Sequence, residues 1–271
     1  MRHKRLSFAL GAMLAFAALV VADTAPGAVK IVGVSSANTM LQGIPQQGIE
    51  LGKPDAPITL VEFADQQCPF CAEWARDELP GVISRYVRPG KIRIEYRGLA
   101  FLGSDSTSLL TLAQAAGEQN KLWNVIELEN LNQGSENSGY ADGAYLDAIA
   151  KAVPGLDAKR AFALVSSSAI ATRIAQAKAL SQQYQINQTP SFLIGKTGDE
   201  QNMTVMAYTF GQCLYDSIDA ALAGNPVPAK KAAFQIWAIV LIAMAAGAAL
   251  VGALVVVGRM RERPSAPPPA A

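Results

Sequence analysis

An α/β fold is predicted for this 271-residue chain, with a helical insertion and a C-terminal transmembrane helix. Three observations predict it. Residues 58–64 are an apolar run of strand length that leads into two cysteines, Cys68 and Cys71, spaced as Cys-Pro-Phe-Cys. Residues 104–185 are dominated by Ala, Leu, Gln and Ser, with apolar positions at helical spacing. Residues 236–258 carry no charge, a run of about 23 residues that spans roughly 34 Å as a helix.

The N-terminus is basic through Arg5 and apolar over 6–22, the layout of a secretory signal peptide or, uncleaved, of an N-terminal membrane anchor (1–22). At the other end a transmembrane helix is expected over 234–258, with Trp237 as an interfacial anchor. Arg259, Arg261 and Arg263 follow it and Lys230 and Lys231 precede it, a basic bias that directs the tail (259–271) to the cytoplasm. The region between the two ends is then extracytoplasmic, where disulfides form and persist. A net charge of +1 with 17% charged residues leaves no basic face for nucleic acid.

The elements follow in order. Residues 23–47 are rich in Gly, Ser, Ala and Pro and read as a spacer, with a short edge strand at 30–34. The catalytic domain is expected over 48–224. After the strand at 58–64 comes a helix over 71–86, interrupted near Pro80 and Gly81. Polar–apolar alternation over 91–96 predicts a strand with one exposed face. Three or four helices fill 104–185, with breaks at 133–139 and 153–155. Strands at 191–194 and 203–210 flank a turn with Gly195 and Gly198, a helix covers 216–223, and 225–233 is a linker.

A CxxC between a strand and a helix is the pattern of a redox-active dithiol. Cys68 falls at the helix N-terminus, where unpaired N–H groups and the helix dipole favour the thiolate, so it is the expected attacking thiol. Pro69 suits the first helical position, where an N–H would be unpaired anyway. Cys71, one turn on, is placed to resolve a mixed disulfide. The other reading of a CxxC is half of a metal site. Structural zinc needs about four protein ligands, yet beyond these two the chain offers only Cys213 and the histidine His3, which lies in the leader. No metal is expected, and Cys–His nucleophilic catalysis lacks its histidine. Glu62 sits in the apolar strand, where an unpaired carboxylate is costly unless it faces solvent on an edge. Asp65 reads as a solvent-facing turn residue. Cys213 is either an auxiliary thiol within reach of Cys68 or an inert, partly buried cysteine. Leu122, Trp123 and Tyr140 read as core, the alternative being a groove beside the site. The sequons at Asn187 and Asn202 read as chance matches.

Several strings resemble the DsbA-like thiol–disulfide oxidoreductases, a thioredoxin-like fold with a helical insertion, and in particular the membrane-tethered bacterial type. They are Glu62-Phe63, Asp65-Gln-Gln-Cys-Pro-Phe-Cys71, Tyr96-Arg97, Phe101-Leu-Gly103, Glu118-Gln-Asn-Lys-Leu-Trp123, Asn137-Ser-Gly139 and Gln188-Thr-Pro-Ser-Phe192. The resemblance runs from about residue 48 to 223. It implies that Pro190 is cis and faces the CxxC, and that substrate chains dock by β-type hydrogen bonds along Pro69, Phe70, Thr189 and Pro190. It implies that Glu62 accepts the proton of Cys71, at a pKa raised by burial. Strongly oxidising relatives carry a histidine where Phe70 stands, so a milder oxidant is expected, between about −120 mV (DsbA) and about −270 mV (thioredoxin).

These readings converge on a dithiol oxidase without a cofactor. Its implied partners are reduced or misoxidised exported proteins and a membrane oxidase or electron carrier that recycles it. The alternatives are a thiol reductase or isomerase, for example in cytochrome c maturation, and a binding module whose CxxC is a fixed structural bridge.

Overall fold

The computed structural model describes residues 29–229, so the expected signal or anchor (1–22), the transmembrane segment (234–258) and the tail (259–271) lie outside the described residues. No helix among the described residues is long and apolar enough to cross a membrane. In chain order the elements are α1 (Val34–Leu41), β1 (Gln46–Gln47), β2 (Glu50–Leu51), β3 (Ile58–Ala64), α2 (Pro69–Asp77) and α3 (Leu79–Val82). A π-helical turn (Ile83–Val87) leads to β4 (Ile92–Gly98), and then come α4 (Ser104–Gly117), α5 (Leu122–Leu131), α6 (Gly143–Ala152), α7 (Ala158–Leu164) and α8 (Ser168–Gln183). The chain returns through β5 (Ser191–Lys196), a 3-10 turn (Glu200–Asn202) and β6 (Thr204–Val205) to α9 (Gln212–Leu222).

The described strands form one sheet in the order β1-β2-β4-β3-β5-β6. Central β3 pairs parallel with β4 and antiparallel with β5, with Glu62 between Tyr96 and Phe192. Every residue of β3 is buried, which is why it reads as a continuous apolar run rather than an alternating one. Its Leu60 and Ala64 face the larger core under α2 and the helical insertion. Val61 and Phe63 face a smaller cluster with Leu99, Leu193 and, on α8, Leu180. Trp123 joins insertion to sheet: its ring meets Tyr96 edge-on at 6.2 Å, and its indole N–H donates to the Ile49 carbonyl at 3.1 Å. Leu122 and Trp123 are therefore core. Tyr140 is half-buried, packed edge-on to Tyr145 at 5.2 Å.

Several expectations need correction. The supposed spacer contains a helix, and 30–34 is not a strand. In α1, Ala37 and Leu41 recur at i and i+4 and bury in the main core, a signal hidden among small polar neighbours. Gly33 starts this helix at φ +80, the left-handed region that favours glycine, and it packs against the Leu131 side chain of α5. The active-site helix begins at Pro69 and breaks at Glu78, before Pro80, as the chain resumes in α3 with Pro80 in its first turn. The insertion holds five helices, because Asp157 and Ser167 cap α7 and α8 separately through the amides of Arg160 and Ile170. The strand expected over 203–210 is only Thr204–Val205. Residue 229, placed in the linker, still bridges Met206 at the sheet edge.

Candidate active site

The end of β3 delivers Asp65, Gln66 and Gln67 and then Cys68, the N-cap of α2. Asp65 is not solvent-facing; it is fully buried. Its carboxylate accepts from the amides of Gln67 (2.9 Å), Phe101 (2.7 Å) and Leu102 (3.1 Å) and from Ser106 Oγ (2.6 Å). Four donors compensate the buried charge and fasten the cysteine loop to the β4–α4 connection. Gln66 Nε2 donates to the Tyr96 hydroxyl at 2.9 Å, and Gln67 Nε2 donates to Ser106 Oγ at 2.8 Å. From the insertion, Gln133 Nε2 reaches the carbonyls of Gln66 (2.8 Å) and Cys68 (3.2 Å). Ser106 and Gln133 were missed in the sequence. Lone polar residues in a helix and a loop carry no pattern, and only the Asp-Gln-Gln run beside the cysteines hints at polar anchoring.

Cys68, Cys71 and Cys213 are free thiols. Cys68 is 6% exposed and Cys71 1%, while Pro69 and Phe70 project outward, Phe70 with 60% of its surface exposed. The Cys68 pKa is lowered to about 6, first by the hydrogen bond from Cys71; burial opposes this, and Thr189 and the amides of Cys71 and Phe70 assist. Burial, followed by the hydrogen bond with Cys68, pushes Cys71 well up. The two thiols therefore divide into a nucleophile that ionises near neutrality and a partner that holds its proton.

The Thr189–Pro190 peptide bond is cis. The Thr189 carbonyl accepts from Cys68 Sγ at 3.3 Å, so the loop before β5 faces the reacting sulfur as expected. Glu62 lies on the central strand, not an edge, at 4% exposure, and its Oε2 has no hydrogen-bond partner. Burial, then the charge of Glu127, raises its pKa to about 8. Its charge acts on Cys71, so the acid is electrostatically coupled to the buried thiol.

Cys213 is exposed on the first turn of α9, against the partly buried placement expected of an inert cysteine. The interactions that set Cys68 and Cys71 do not include it. Among the described residues, no group of three or more His, Cys, Asp and Glu is arranged to hold a metal ion.

A mixed sheet that presents an N-cap thiolate, a resolving thiol beneath it and a cis-proline loop beside it defines a thiol–disulfide oxidoreductase of thioredoxin-like fold. A family model described as thioredoxin matches residues 45–209, more than half of the chain. Over 189 residues the chain is 25% identical to the "Probable disulfide bond formation protein D" of Bacillus cereus, covering 69% of this chain and 87% of that protein. Its fold is similar to oxidised BdbD from Bacillus subtilis, with a TM-score of 0.58 at 20% identity over 67% of this chain and 98% of that one. Alpha-DsbA1 from Wolbachia pipientis is similar too, with a TM-score of 0.56 at 20% identity over 69% and 96% of the two chains. The chain belongs to the thioredoxin family.

Proposed function

We propose that the protein is an extracytoplasmic, membrane-tethered dithiol oxidase that introduces disulfides into exported proteins. In the oxidised enzyme a substrate thiolate attacks Cys68 Sγ, the Cys68–Cys71 bond breaks, and Cys71 leaves and takes up a proton. A second substrate thiolate then attacks the substrate sulfur of the mixed disulfide and Cys68 leaves as thiolate. Two electrons have passed from substrate to enzyme, and a membrane oxidase or electron carrier takes them on. The observation that carries the reading is Cys68 itself, a helix-capping thiol with its pKa near 6 beside the Thr189 carbonyl. Stabilising the released thiolate favours the reduced enzyme, and so favours donation of the disulfide.

Cys68 and Cys71 are the reacting groups in this reading, and Glu62 exchanges a proton with Cys71. Pro69, Phe70, Thr189 and Pro190 form the docking face. The bacterial disulfide-bond-formation relatives support the direction of transfer. The uncharged run within 234–258 and the basic residues after it support the tether and a cytoplasmic tail. A reductase or isomerase is the second reading, favoured by Phe70, which offers the Cys68 thiolate no side-chain donor. Thiol trapping of the full chain in its own cells separates the two. A pair found mostly oxidised supports the oxidase, and a pair found mostly reduced overturns it.

A further inference from the structure

Cys71 must gain or lose a proton in every turnover, yet it is buried beneath Cys68 and has no direct way to bulk water. Glu62 is buried as well. A cavity lies beside α2. Glu127, on α5, lines this cavity of about 600 Å³, which lies against α1, α2 and the π-helical turn. Glu127 is buried, its Oε2 has no hydrogen-bond partner, and among the described residues no salt bridge engages it. Its charge, after burial, helps to raise the Glu62 pKa.

We propose that Glu127 passes the Cys71 proton between Glu62 and this surface cavity, so that the two carboxyls form a proton path from the buried thiol to solvent. The inference rests on the reading of Glu62 as the proton partner of Cys71. When a substrate thiolate breaks the Cys68–Cys71 bond, protonated Glu62 gives its proton to the Cys71 thiolate and is recharged by Glu127, which draws on water in the cavity. When the disulfide re-forms, the Cys71 thiol gives its proton to the Glu62 carboxylate and the transfer runs outward. Glu127 touches no substrate and acts through Glu62.

The charges around Glu127 suit this use. Arg76 of α2 and Arg88 beyond the π-helical turn border the cavity, but both guanidinium groups are engaged elsewhere. Arg76 pairs with Asp77, and Arg88 donates to the carbonyls of Met40 and Gln42 at 2.8 Å each. From α1 the cavity receives Ser36, Thr39 and Met40, which carry no charge. Of the neighbouring groups on other helices, Asp105 of α4 accepts from the Gly139 amide and Lys151 of α6 pairs with Asp147. Glu129, the other acid of α5, is fully buried and held toward its neutral form. Burial raises Glu127 itself to about 7, so it exchanges protons near neutral pH.

The test is stopped-flow reduction of the oxidised full chain by dithiothreitol, with each variant's rate divided by that of the unaltered chain from pH 5 to 8.5. Glu127→Gln is expected to slow the reaction roughly tenfold, below the usual range for a direct general acid because it stands one transfer away. Its deficit should change with pH, Glu127→Asp should keep most of the rate, and formate should restore Glu127→Ala through the open cavity. A Glu127→Gln ratio near one at every pH, with Glu62→Gln slow, overturns the path and leaves the role of Glu62 standing. If Glu62→Gln is as fast as the unaltered chain, both fall. Should Glu127→Gln fail to fold, formate rescue of Glu127→Ala decides: restoration supports the path and its absence overturns it.

Discussion

The ionisation of single residues makes the most direct predictions. A Cys68 pKa of about 6, against 9.0 for an ordinary thiol, contributes stability to the reduced protein that is present above pH 9 and lost as pH falls through 6. Iodoacetamide should alkylate Cys68 with a midpoint near pH 6, and a midpoint near the ordinary value would contradict the site as described. Glu62 has the opposite sign. Its folded pKa of about 8 lies above the ordinary carboxyl value of 4.5, so its contribution is present below pH 4.5 and is lost as pH rises towards 8. Over that window stability should fall by about 1.4 kcal/mol per pH unit at most. Glu62→Gln should flatten the dependence in denaturant titrations at pH 5 and pH 8. Both residues stood out in the sequence, since a CxxC ahead of a helix and a carboxylate in an apolar strand break the local pattern. Asp65 did not, because a buried aspartate and a turn aspartate look alike until the donors at Phe101, Leu102 and Ser106 arrive from distant sequence.

Among elements, the cysteine loop is held from one side by Asp65 and from the other by the insertion. Asp65→Ala leaves several buried donors unpaired and should cost about 3 kcal/mol in chemical unfolding. Trp123 joins α5 to the sheet, and Trp123→Ala should cost about 3–5 kcal/mol through lost burial and the cavity left behind. A loss below about 1 kcal/mol in either variant would contradict its place in the packing. Strand β3 was legible to its ends because seven consecutive buried positions leave a run bounded by polar residues. Helix α1 was not, since its burial rests on Ala37 and Leu41 amid Ser, Asn and Thr. The 203–210 segment has strand-like composition, yet β5 pairs with it only at Thr204 and Val205 before the chain turns towards α9. Pairing is a tertiary matter, and propensity could not limit it.

For the whole molecule, the insertion and the sheet close on the same small site. Gln133 and Ser106 reach the cysteine loop from outside the sheet, and the charge of Glu127 on α5 acts on Glu62. The proposed proton path would join redox chemistry at the sheet to the insertion and give the insertion a part in turnover. The proposed tether makes a separate prediction: the full chain should sediment with membranes and resist extraction by carbonate, while a chain lacking both residues 1–22 and residues 230–271 should not. The central claim is that Cys68 and Cys71 form a moderately oxidising couple, and the equilibrium of the full chain with glutathione buffers tests it most directly. A reduction potential between about −120 and −270 mV is predicted, and a value at or below about −270 mV, the thioredoxin level, would contradict it.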